Sequence, residues 1–390
     1  MKRSTNNSEV KKLNRNRVFR YINDRDETCM PEISAALDIS SPTVLTIVNE
    51  LKEDNLITEV GEFKSTGGRK AKAIASIKDS RYTIGLDITK NHIGIICTDL
   101  SRKTLKYERV PKIFENSVRY FTELGNMVCR FAGENHISDE KIAGVGIAVP
   151  AIVDLERNLI TNSRALDVYN VPCEKWKSFI PYPCEFINDA NAAAMTENIR
   201  YSDKRSMVYL SLSNTVGGAI IFWTKEDEKN ITGPLGGSFG KMYVGDEWRS
   251  GEFGHMVIHP NGKKCYCGKE GCLDAYCSAL NLADLENGKL ERFFEQMEAG
   301  NKAYRQIWNR YLDDLAIAVD NLRMCFDCEV VLGGYVGCYM EPYMSEVRRR
   351  VAEKNIFDDN GEYVRACKYK KASTALGAAI YQIEKFISSV

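Results

Sequence analysis

The sequence predicts an N-terminal winged helix-turn-helix domain followed by a larger α/β body. In residues 1–80, short amphipathic helical segments are followed by two strand-like segments. From Tyr82 onward, short apolar strands alternate with amphipathic helices, which is typical of α/β folds. A chain of 390 residues with 44% hydrophobic residues can also form two or three cores of ordinary size. We therefore expect a multidomain protein.

The net charge and the cysteine content argue against several classes of protein. The formal net charge is zero, so any contact with nucleic acid must come from a local basic region, such as residues 1–20 with seven basic residues against one acidic residue. No secretion signal opens the chain, and no apolar run approaches the roughly 20 residues that span a bilayer. The 13 cysteines follow no repeating framework, which argues against a secreted disulfide scaffold. These features predict a soluble, cytoplasmic protein without membrane contact.

The helix-turn-helix is predicted from two helical segments separated by a turn at Asp38–Ser40. Ser41 is a suitable N-cap, and Pro42 is favourable at the first helical position. The apolar face of this second segment consists of Val44, Ile47, Val48 and Leu51. Its opposite face carries short polar side chains that could approach base edges and phosphates in a major groove. The predicted DNA-contacting residues of this helix are Ser41, Thr43, Thr46 and Asn49.

A basic wing is predicted after this helix. Residues 56–60 and 71–77 have the composition of strands and are joined by a segment containing two consecutive glycines. Arg69 and Lys70 at its tip could reach the DNA backbone or the minor groove. The alternative is a small helical domain for protein contacts.

The body should begin with a hairpin of residues 82–88 and 92–98. Further strands are predicted at 141–149, 185–188, 207–212, 217–223 and 330–332, and helices at 114–131, 190–200 and 375–386. Asn188 and Asp189 lie where a strand ends and a helix begins, which is the usual position of ligands in α/β sheets. Asp189 could equally be only a helix cap.

A metal site is predicted at residues 255–272. One histidine and three cysteines follow the spacing H-x9-C-x-C-x4-C, and glycines between them allow sharp turns. Three thiolates and one imidazole favour Zn²⁺ over hard cations, and four protein ligands would make the ion structural. The predicted ligands are His255, Cys265, Cys267 and Cys272, with His259 as the substitute for His255.

The chain resembles the ROK family of bacterial repressors and sugar kinases over nearly its whole length. The resemblance is carried by G-E-F-G-H at 251–255, C-Y-C-G-K-E-G-C-L-D at 265–274, I-N-D-A-N-A-A-A at 187–194 and T-G-G-R-K at 66–70. It implies an actin-like (ribonuclease H-like) body of two α/β lobes that binds a sugar in the cleft between them. The DNA-binding domain would comprise residues 1–80, the small lobe residues 81–199 completed by 375–390, and the large lobe with its zinc loop residues 200–374.

The resemblance also implies sugar contacts. The implied sugar-binding residues are Asn162, Asn188, Asp189, Glu252, His255 and Asp274, and His255 would use one ring nitrogen for zinc and the other for a sugar hydroxyl. Asp274 stands where the family usually has Glu, and Ala151 replaces the usual glycine.

Sugar kinase activity is the first alternative, with Asp189 as the general base. The sequence argues against it, because phosphates need backbone amides from glycine-rich turns. The family's Asp-x-Gly-Gly-Thr turn is D-I-T-K-N at 87–91 here, and its Leu-Gly-Thr-Gly turn is L-S-N-T at 212–215. Asp189 is therefore interpreted as a vestigial base, and the protein as not an enzyme.

The predicted function is that of a sugar-responsive transcriptional repressor. The winged domains of a homodimer, or of a dimer of dimers, would bind a palindromic operator about 34 Å apart or at a multiple of that spacing. The effector would be a monosaccharide or a sugar phosphate. A body that responds to a protein partner is the second alternative, which Ala151 and Asp274 favour.

Overall fold

Three helices and a two-stranded hairpin form the N-terminal domain. The computed structural model describes residues 7–62, 71–199, 205–224, 236–237, 240–370 and 372–390. The elements of this domain are α1 (Asn7–Asn23), α2 (Met30–Leu37), α3 (Ser41–Glu53), β1 (Ile57–Glu62) and β2 (Lys72–Ser76). The two strands pair antiparallel. The predicted winged helix-turn-helix is confirmed, whereas the predicted wing-tip residues Arg69 and Lys70 lie outside the described residues.

The domain has a core built from the predicted helix faces. The four apolar residues predicted on α3 are at most 1% exposed. Val18 and Ile22 of α1 are also buried, but Leu13, predicted on the same face, is 37% exposed. Phe19 is buried beside them, so the buried face of α1 lies nearer its C-terminal end than the sequence pattern indicates.

The start of α3 differs from the prediction by one residue. Ser40 has extended backbone angles (φ −59°, ψ 142°) and is the N-cap, so Ser41 is the first helical residue and Pro42 the second. Asp38, with a left-handed φ of 54°, ends α2 and produces the tight turn between the two helices.

The first sheet of the body is formed early in the chain. It has the order β10-β6-β3-β4-β5. Its hairpin β3–β4 is antiparallel, whereas β6 is parallel to both β3 and β10. A small sheet, β7-β8-β9, is inserted between β6 and β10. The strands are β3 (Tyr82–Ile88), β4 (His92–Asp99), β5 (Thr104–Pro111), β6 (Ile142–Val149), β7 (Ile152–Asp154), β8 (Leu159–Ser163), β9 (Val168–Pro172) and β10 (Cys184–Asn188).

Three helices belong to this part of the chain: α4 (Val118–Glu134), α5 (Glu174–Lys177) and α6 (Asp189–Met195). Ser117 caps α4 by accepting a hydrogen bond from Tyr120 N at 3.2 Å. Phe114 was predicted inside this helix, and that is wrong. It precedes the cap and packs on Tyr120 and Trp176, with ring centroids 5.1 and 5.4 Å away.

The second sheet of the body is formed by strands after residue 206. Its order is β13-β14-β12-β11-β15-β16. The strands are β11 (Met207–Leu212), β12 (Val216–Phe222), β13 (Gly236–Gly237), β14 (Gly240–Tyr243), β15 (Glu329–Gly333) and β16 (Val364–Ala366). The helices are α7 (Asp274–Cys277), α8 (Leu280–Ala283), α9 (Leu290–Glu298), α10 (Lys302–Phe326), α11 (Gly334–Gly337) and α12 (Met344–Ala352).

The last helix, α13 (Ser373–Ser389), returns to the first sheet. It packs on β3, β6 and α6 at backbone distance because glycines face it. A Cβ added at Gly85 or at Gly146 would lie 1.9 Å from a carbonyl oxygen of α13. In the opposite direction, a Cβ added at Gly377 of α13 would lie 1.7 Å from the carbonyl oxygen of Ala192. Helix α13 is therefore fitted closely to α6, the helix that begins at Asp189.

The C-terminal half of α13 contacts the N-terminal domain. Ile383 and Ile387 share one buried cluster with Phe19 and Ile22 of α1, and Leu100 from the β4–β5 turn joins it. The guanidinium of Arg20 also pairs with the carboxylate of Glu384. The N-terminal domain thus shares a core with the body.

Candidate functional site

A cavity of about 400 Å³ lies between the two sheets of the body. Its wall includes the segment after β6, the end of β8 and the start of α6 on one side, and β12 with residues 248–269 on the other. Five of the six residues that the family resemblance implied for sugar binding line it. They are Asn162, Asn188, Asp189, Glu252 and His255.

The side chain of Asn188 is hydrogen-bonded to backbone groups of neighbouring residues. Its Oδ1 accepts hydrogen bonds from Ala190 N at 2.9 Å and Asn191 N at 3.0 Å, and its Nδ2 donates to Ala151 O at 3.1 Å. Asn188, not Asp189, is therefore the N-cap of α6. These bonds fix the direction of the neighbouring Asp189 carboxylate, which lies at the start of the helix.

The carboxylates of Asp87 and Asp189 interact electrostatically, and Asp189 lines the cavity. Burial raises the pKa of Asp87 to about 7, and the negative charge of Asp189 contributes to this rise. Burial likewise raises the pKa of Asp189 to about 6, against the hydrogen bond that its Oδ1 accepts from Ala190 N at 2.8 Å. Asp189 is therefore well suited to exchange a proton or a hydrogen bond with a ligand near neutral pH.

Asn162 offers the cavity an acceptor without a protein partner. Its side chain lines the cavity, and its Oδ1 atom is buried without a hydrogen bond among the described residues. A buried carbonyl oxygen of this kind costs free energy unless a ligand or water donates to it. The atom is therefore suited to accept a hydrogen bond from a hydroxyl group in the cavity.

Glu252 and Asp274 differ in position although the resemblance implied sugar contact for both. Glu252 lines the cavity; burial raises its pKa, and the positive charge of Arg164 opposes that rise. Asp274 does not line the cavity and is 5% exposed. Its Oδ2 accepts a hydrogen bond from Val216 N at 2.6 Å, so the shorter side chain at this position supports β12 instead.

His255, Cys265, Cys267 and Cys272 form a cluster that could hold a metal ion. Their ligand atoms all lie within 4.8 Å of one another. His255 Nδ1 is 3.8 Å from Cys265 Sγ, and Cys267 Sγ is 3.8 Å from Cys272 Sγ. Tetrahedral coordination with metal–sulfur bonds of about 2.3 Å requires ligand separations of about 3.8 Å. The residues present therefore fit a tetrahedral ion with soft ligands.

The imidazole of His255 connects this cluster to the cavity. Its Nδ1 faces the cysteines, and its Nε2 lies 3.3 Å from the hydroxyl of Tyr266. Burial lowers the pKa of His255, and the nearby charges of Arg164 and Lys269 lower it further, which favours the neutral ring that metal binding requires. The Tyr266 hydroxyl thus contacts His255 Nε2, the nitrogen for which the family resemblance implied a sugar hydroxyl. No sequence pattern indicated Tyr266.

His259 is not part of the metal cluster. Its Nε2 lies 2.6 Å from Asp314 Oδ1 on α10, and its ring packs edge-on against Tyr276. His259, the substitute ligand considered from the sequence, is therefore not among the four residues that could hold a metal ion. The pair instead ties the cysteine-containing loop to the longest helix of the body.

Two backbone amides of the turn between β3 and β4 are hydrogen-bonded within the turn. Thr89 N donates to His92 O at 3.0 Å, and His92 N donates to Thr89 Oγ1 at 3.2 Å. Arg109 of β5 lies beside this turn, with Nη2 3.2 Å from His92 Nδ1, and its positive charge opposes the rise that burial causes in the pKa of Asp87. No local sequence pattern indicates Arg109, because only the sheet brings β5 next to the turn.

Three cations on the cavity wall were also missed by sequence reasoning. Arg164, Arg249 and Lys269 come from three separate segments and line the same cavity. Nothing in their local sequence distinguishes them from ordinary surface residues, so only the packing of the segments brings them together.

The outer face of α3 carries the residues predicted to contact DNA. Ser41, Thr46 and Asn49 are exposed, and Thr43 is half-buried. Three of these side chains already bond locally, and the first is Ser41, whose Oγ lies 3.4 Å from Ser34 Oγ. Thr46 Oγ1 donates to Pro42 O at 3.0 Å, and the hydroxyls of Thr43 and Ser40 lie 2.8 Å apart. Asn49 is therefore the residue of this group that offers an exposed amide with two donors and an acceptor.

Among the helices of the described ranges, none is both long and apolar enough to cross a bilayer.

Comparisons with protein families identify both parts of the chain. A model of the ROK family matches residues 83–385, and a model of winged helix-turn-helix DNA-binding domains matches residues 13–58. A xylose repressor of Bacillus subtilis is 28% identical over 280 residues, which cover 70% of this chain and 67% of that protein.

Solved structures agree with this fold. A ROK family transcriptional regulator, described as a homologue of the E. coli MLC protein, superposes with a TM-score of 0.77 over 97% of each chain, at 18% identity. A ROK hexokinase from Thermus thermophilus has a TM-score of 0.59 over 77% of this chain and 97% of its own, at 24% identity. The regulator resembles the chain from end to end, whereas the hexokinase spans about three-quarters of it.

Proposed function

The chain belongs to the ROK family, and we propose that it is a sugar-responsive transcriptional repressor whose ROK body binds the effector without phosphorylating it. We assign DNA binding to residues 1–80, a small lobe to 81–199 with 375–390, and a large lobe to 200–374. As a repressor it would act in the cytoplasm, as a homodimer on a palindromic operator.

The observation that carries this proposal is the combination of an exposed recognition helix with a polar cavity in one chain. The cavity has an unpartnered acceptor at Asn162 and carboxylates at Asp189 and Glu252. Such groups suit a ligand rich in hydroxyls, because each hydroxyl can donate to one of them and relieve its desolvation. The naming of a xylose repressor among the relatives supports the same class of ligand.

Absence of phosphoryl transfer is proposed from the turn at residues 88–92. A phosphate site needs backbone amides that point at the ligand. Two amides here, those of Thr89 and His92, are bonded within the turn, and Arg109 lies beside Asp87. The test is incubation of the full chain with ATP, Mg²⁺ and a panel of hexoses and pentoses. Turnover that the Asp189→Asn substitution abolishes would show that the protein is a kinase.

We propose Zn²⁺ as the ion held by His255, Cys265, Cys267 and Cys272. The soft donor set and the 3.8 Å ligand separations support it. When bound, zinc would supply no chemistry to the sugar but would fix the loop of residues 255–272. His255 and Tyr266 would then hold this part of the cavity wall in place.

Helix α13 is proposed to transmit effector binding to the DNA-binding domain. Its N-terminal half packs on α6, which begins at Asp189, and its C-terminal half packs on α1. Over its 17 residues it spans about 25 Å. A ligand that favours one arrangement of the two lobes would therefore alter the position of α1, with a coupling of about 1–3 kcal/mol in typical regulators.

The decisive experiment measures sugar binding and DNA binding in the same protein. Thermal unfolding of the full chain is followed with xylose, glucose, N-acetylglucosamine and their phosphates, and DNA binding is measured on the region upstream of its own coding sequence. A sugar that raises the melting temperature and changes DNA affinity supports the proposal. DNA binding without a response to any sugar would instead favour control by a protein partner.

A further inference from the structure

Within α3, all of whose residues the structure describes, Leu45 is the one large aliphatic side chain on the outer face. Leu45 is 47% exposed, whereas the other aliphatic residues of this helix are at most 1% exposed: Val44, Ile47, Val48 and Leu51. As the fifth residue of α3, Leu45 belongs to the N-terminal part of the helix. This part reaches base edges when the second helix of a helix-turn-helix enters the major groove.

Leu45 and Asn49 are neighbours on that face, because residues four positions apart lie one above the other on a helix. Asn49 is exposed as well. A carboxamide matches N6 and N7 of adenine, and an apolar side chain matches the C5-methyl group of thymine. One helical turn rises about 5.4 Å, which corresponds to one or two base-pair steps of about 3.4 Å. The two side chains therefore suit an adenine and a thymine in neighbouring base pairs.

The same part of α3 carries no group that reads guanine. Guanine is recognised most often by arginine or lysine, whose donors match its O6 and N7 atoms. Residues 41–49 contain no charged side chain. Lys52, which follows about one turn later, pairs with Glu59 of β1. The first two turns of α3 therefore offer groups that match A·T pairs and neither a guanidinium nor an ammonium group for G·C pairs.

Packing on α1 holds α3 in place. Glu50 Oε1 lies 2.6 Å from Lys11 Nζ, and Glu50 Oε2 lies 3.1 Å from Arg15 Nη1. These ion pairs anchor the helix, and they compensate the negative charge that follows Asn49 in the chain. Leu45 remains outside the core of the domain. Contact with a thymine methyl group would remove the apolar surface of both partners from water.

Resting on the proposed function, we infer that Leu45 is a specificity-determining residue of the DNA-binding domain. It contacts the C5-methyl group of one thymine in each half-site of the operator, in a base pair next to an adenine that Asn49 contacts. Apolar contact with this methyl group distinguishes thymine from cytosine in the major groove, because cytosine has a hydrogen atom at C5. Each half-site is therefore expected to contain adjacent A·T pairs.

The experiment begins with duplexes that the full chain enriches from a randomised pool, with and without the sugars used in the thermal unfolding experiment. Each thymine of the enriched duplex is then replaced in turn by uracil, which lacks only the methyl group, at the same position of both half-sites. Affinity is measured by anisotropy at constant salt concentration. We expect one of these replacements to weaken binding by about fourfold per half-site, which corresponds to one methyl group that is no longer buried.

Leu45→Ala tests whether this side chain makes the contact. The variant should bind the thymine and uracil duplexes with equal affinity, because alanine is too short to reach the methyl group. Leu45→Met keeps the apolar length and should retain a preference for thymine. Leu285→Ala is the matched control, because Leu285 is 48% exposed in the body and its loss should leave the full preference. The melting temperature verifies that each variant folds.

The outcomes separate the inference from the proposed function. If no uracil replacement weakens binding, or if the preference for thymine persists in Leu45→Ala, Leu45 does not read the methyl group. An effect of the methyl group on DNA shape alone would produce that persistence. In both cases sequence-specific DNA binding by the protein would stand. If the full chain enriches no sequence from the pool, the inference and the proposed repressor are both refuted.

Discussion

Arg102 Nη2 donates a hydrogen bond of 2.9 Å to Glu384 Oε1 at the junction of the DNA-binding domain and the body. Nη1 of the same guanidinium reaches Asp24 Oδ1 of the segment after α1 at 2.8 Å, and Arg20 pairs with Glu384 from within α1. The side chains of Arg102 and Glu384 are 6% and 4% exposed. Despite its burial, the pKa of Glu384 is lowered, because both guanidinium groups favour the carboxylate.

Glu384→Gln should destabilise the protein and weaken its regulation. The substitution removes the negative charge that Glu384 places beside both Arg20 and Arg102, and breaking a buried ion pair costs about 3–5 kcal/mol. Urea unfolding measures this loss, and DNA binding with and without effector measures the coupling. Glu353→Gln is the control, because its pair with Arg349 is exposed and contributes about 1 kcal/mol or less. Equal effects of the two substitutions would contradict the role of the junction.

Asp87→Asn should change how stability depends on pH. The folded-state pKa of Asp87 is about 7, above the usual value for aspartate, so the folded protein holds this proton more tightly than the unfolded chain. Its stabilising contribution is complete below about pH 4 and is lost as the pH rises through 7. Between pH 4 and pH 7, the free energy of unfolding of the variant should therefore rise relative to that of the wild type by up to about 4 kcal/mol.

Urea unfolding at a series of pH values from 4 to 8 tests this expectation. Asp359→Asn serves as the control on an exposed carboxylate. If the difference in stability between wild type and Asp87→Asn stays constant over this range, Asp87 is not the buried proton-binding group.

Cys267→Ser should lower the zinc content and the sugar response together. The substitution removes one of the four proposed ligands, and with zinc bound the loop that carries Tyr266 and His255 would depend on the ion for its shape. Metal analysis of the purified protein gives the stoichiometry, and the thermal shift with sugar gives the response. Cys325→Ser, at an exposed cysteine outside the cluster, should change neither. Unchanged zinc in Cys267→Ser would refute the ligand assignment.

Substitutions in the DNA-binding domain should separate base recognition from backbone contact. Asn49→Ala on α3 should reduce operator affinity by about 1–3 kcal/mol while binding to unrelated DNA is retained. Arg69→Ala, in the predicted wing tip, should weaken binding both to the operator and to unrelated DNA. It should also lower the slope of log affinity against log salt concentration by about one. Anisotropy titrations between 50 and 300 mM salt distinguish the two patterns, and an unaltered slope in Arg69→Ala would exclude its phosphate contact.

The spacing of apolar residues within short segments predicted the helices and strands that have one buried face. The apolar positions of α3 and the strand ending at Asn188 recur at the spacing of their own element, which the sequence displays directly. The edge strand β5 was missed because its residues are mostly polar and exposed. Phe114 was assigned to α4 because its spacing continues the helical pattern, although the cap at Ser117 ends that continuation.

The amino-acid sequence by itself determined the histidine and cysteine cluster, the second helix of the helix-turn-helix and the position of Asp189 at a strand end, because each depends on residues within about 20 positions of one another. Only the tertiary structure decided that Asp274 supports β12, that Arg164, Arg249 and Lys269 meet at one cavity, and that α13 joins α6 to α1. Such contacts join segments that lie far apart in the chain. Their partners are selected by the packing of two sheets and one helix, and no local spacing records that packing.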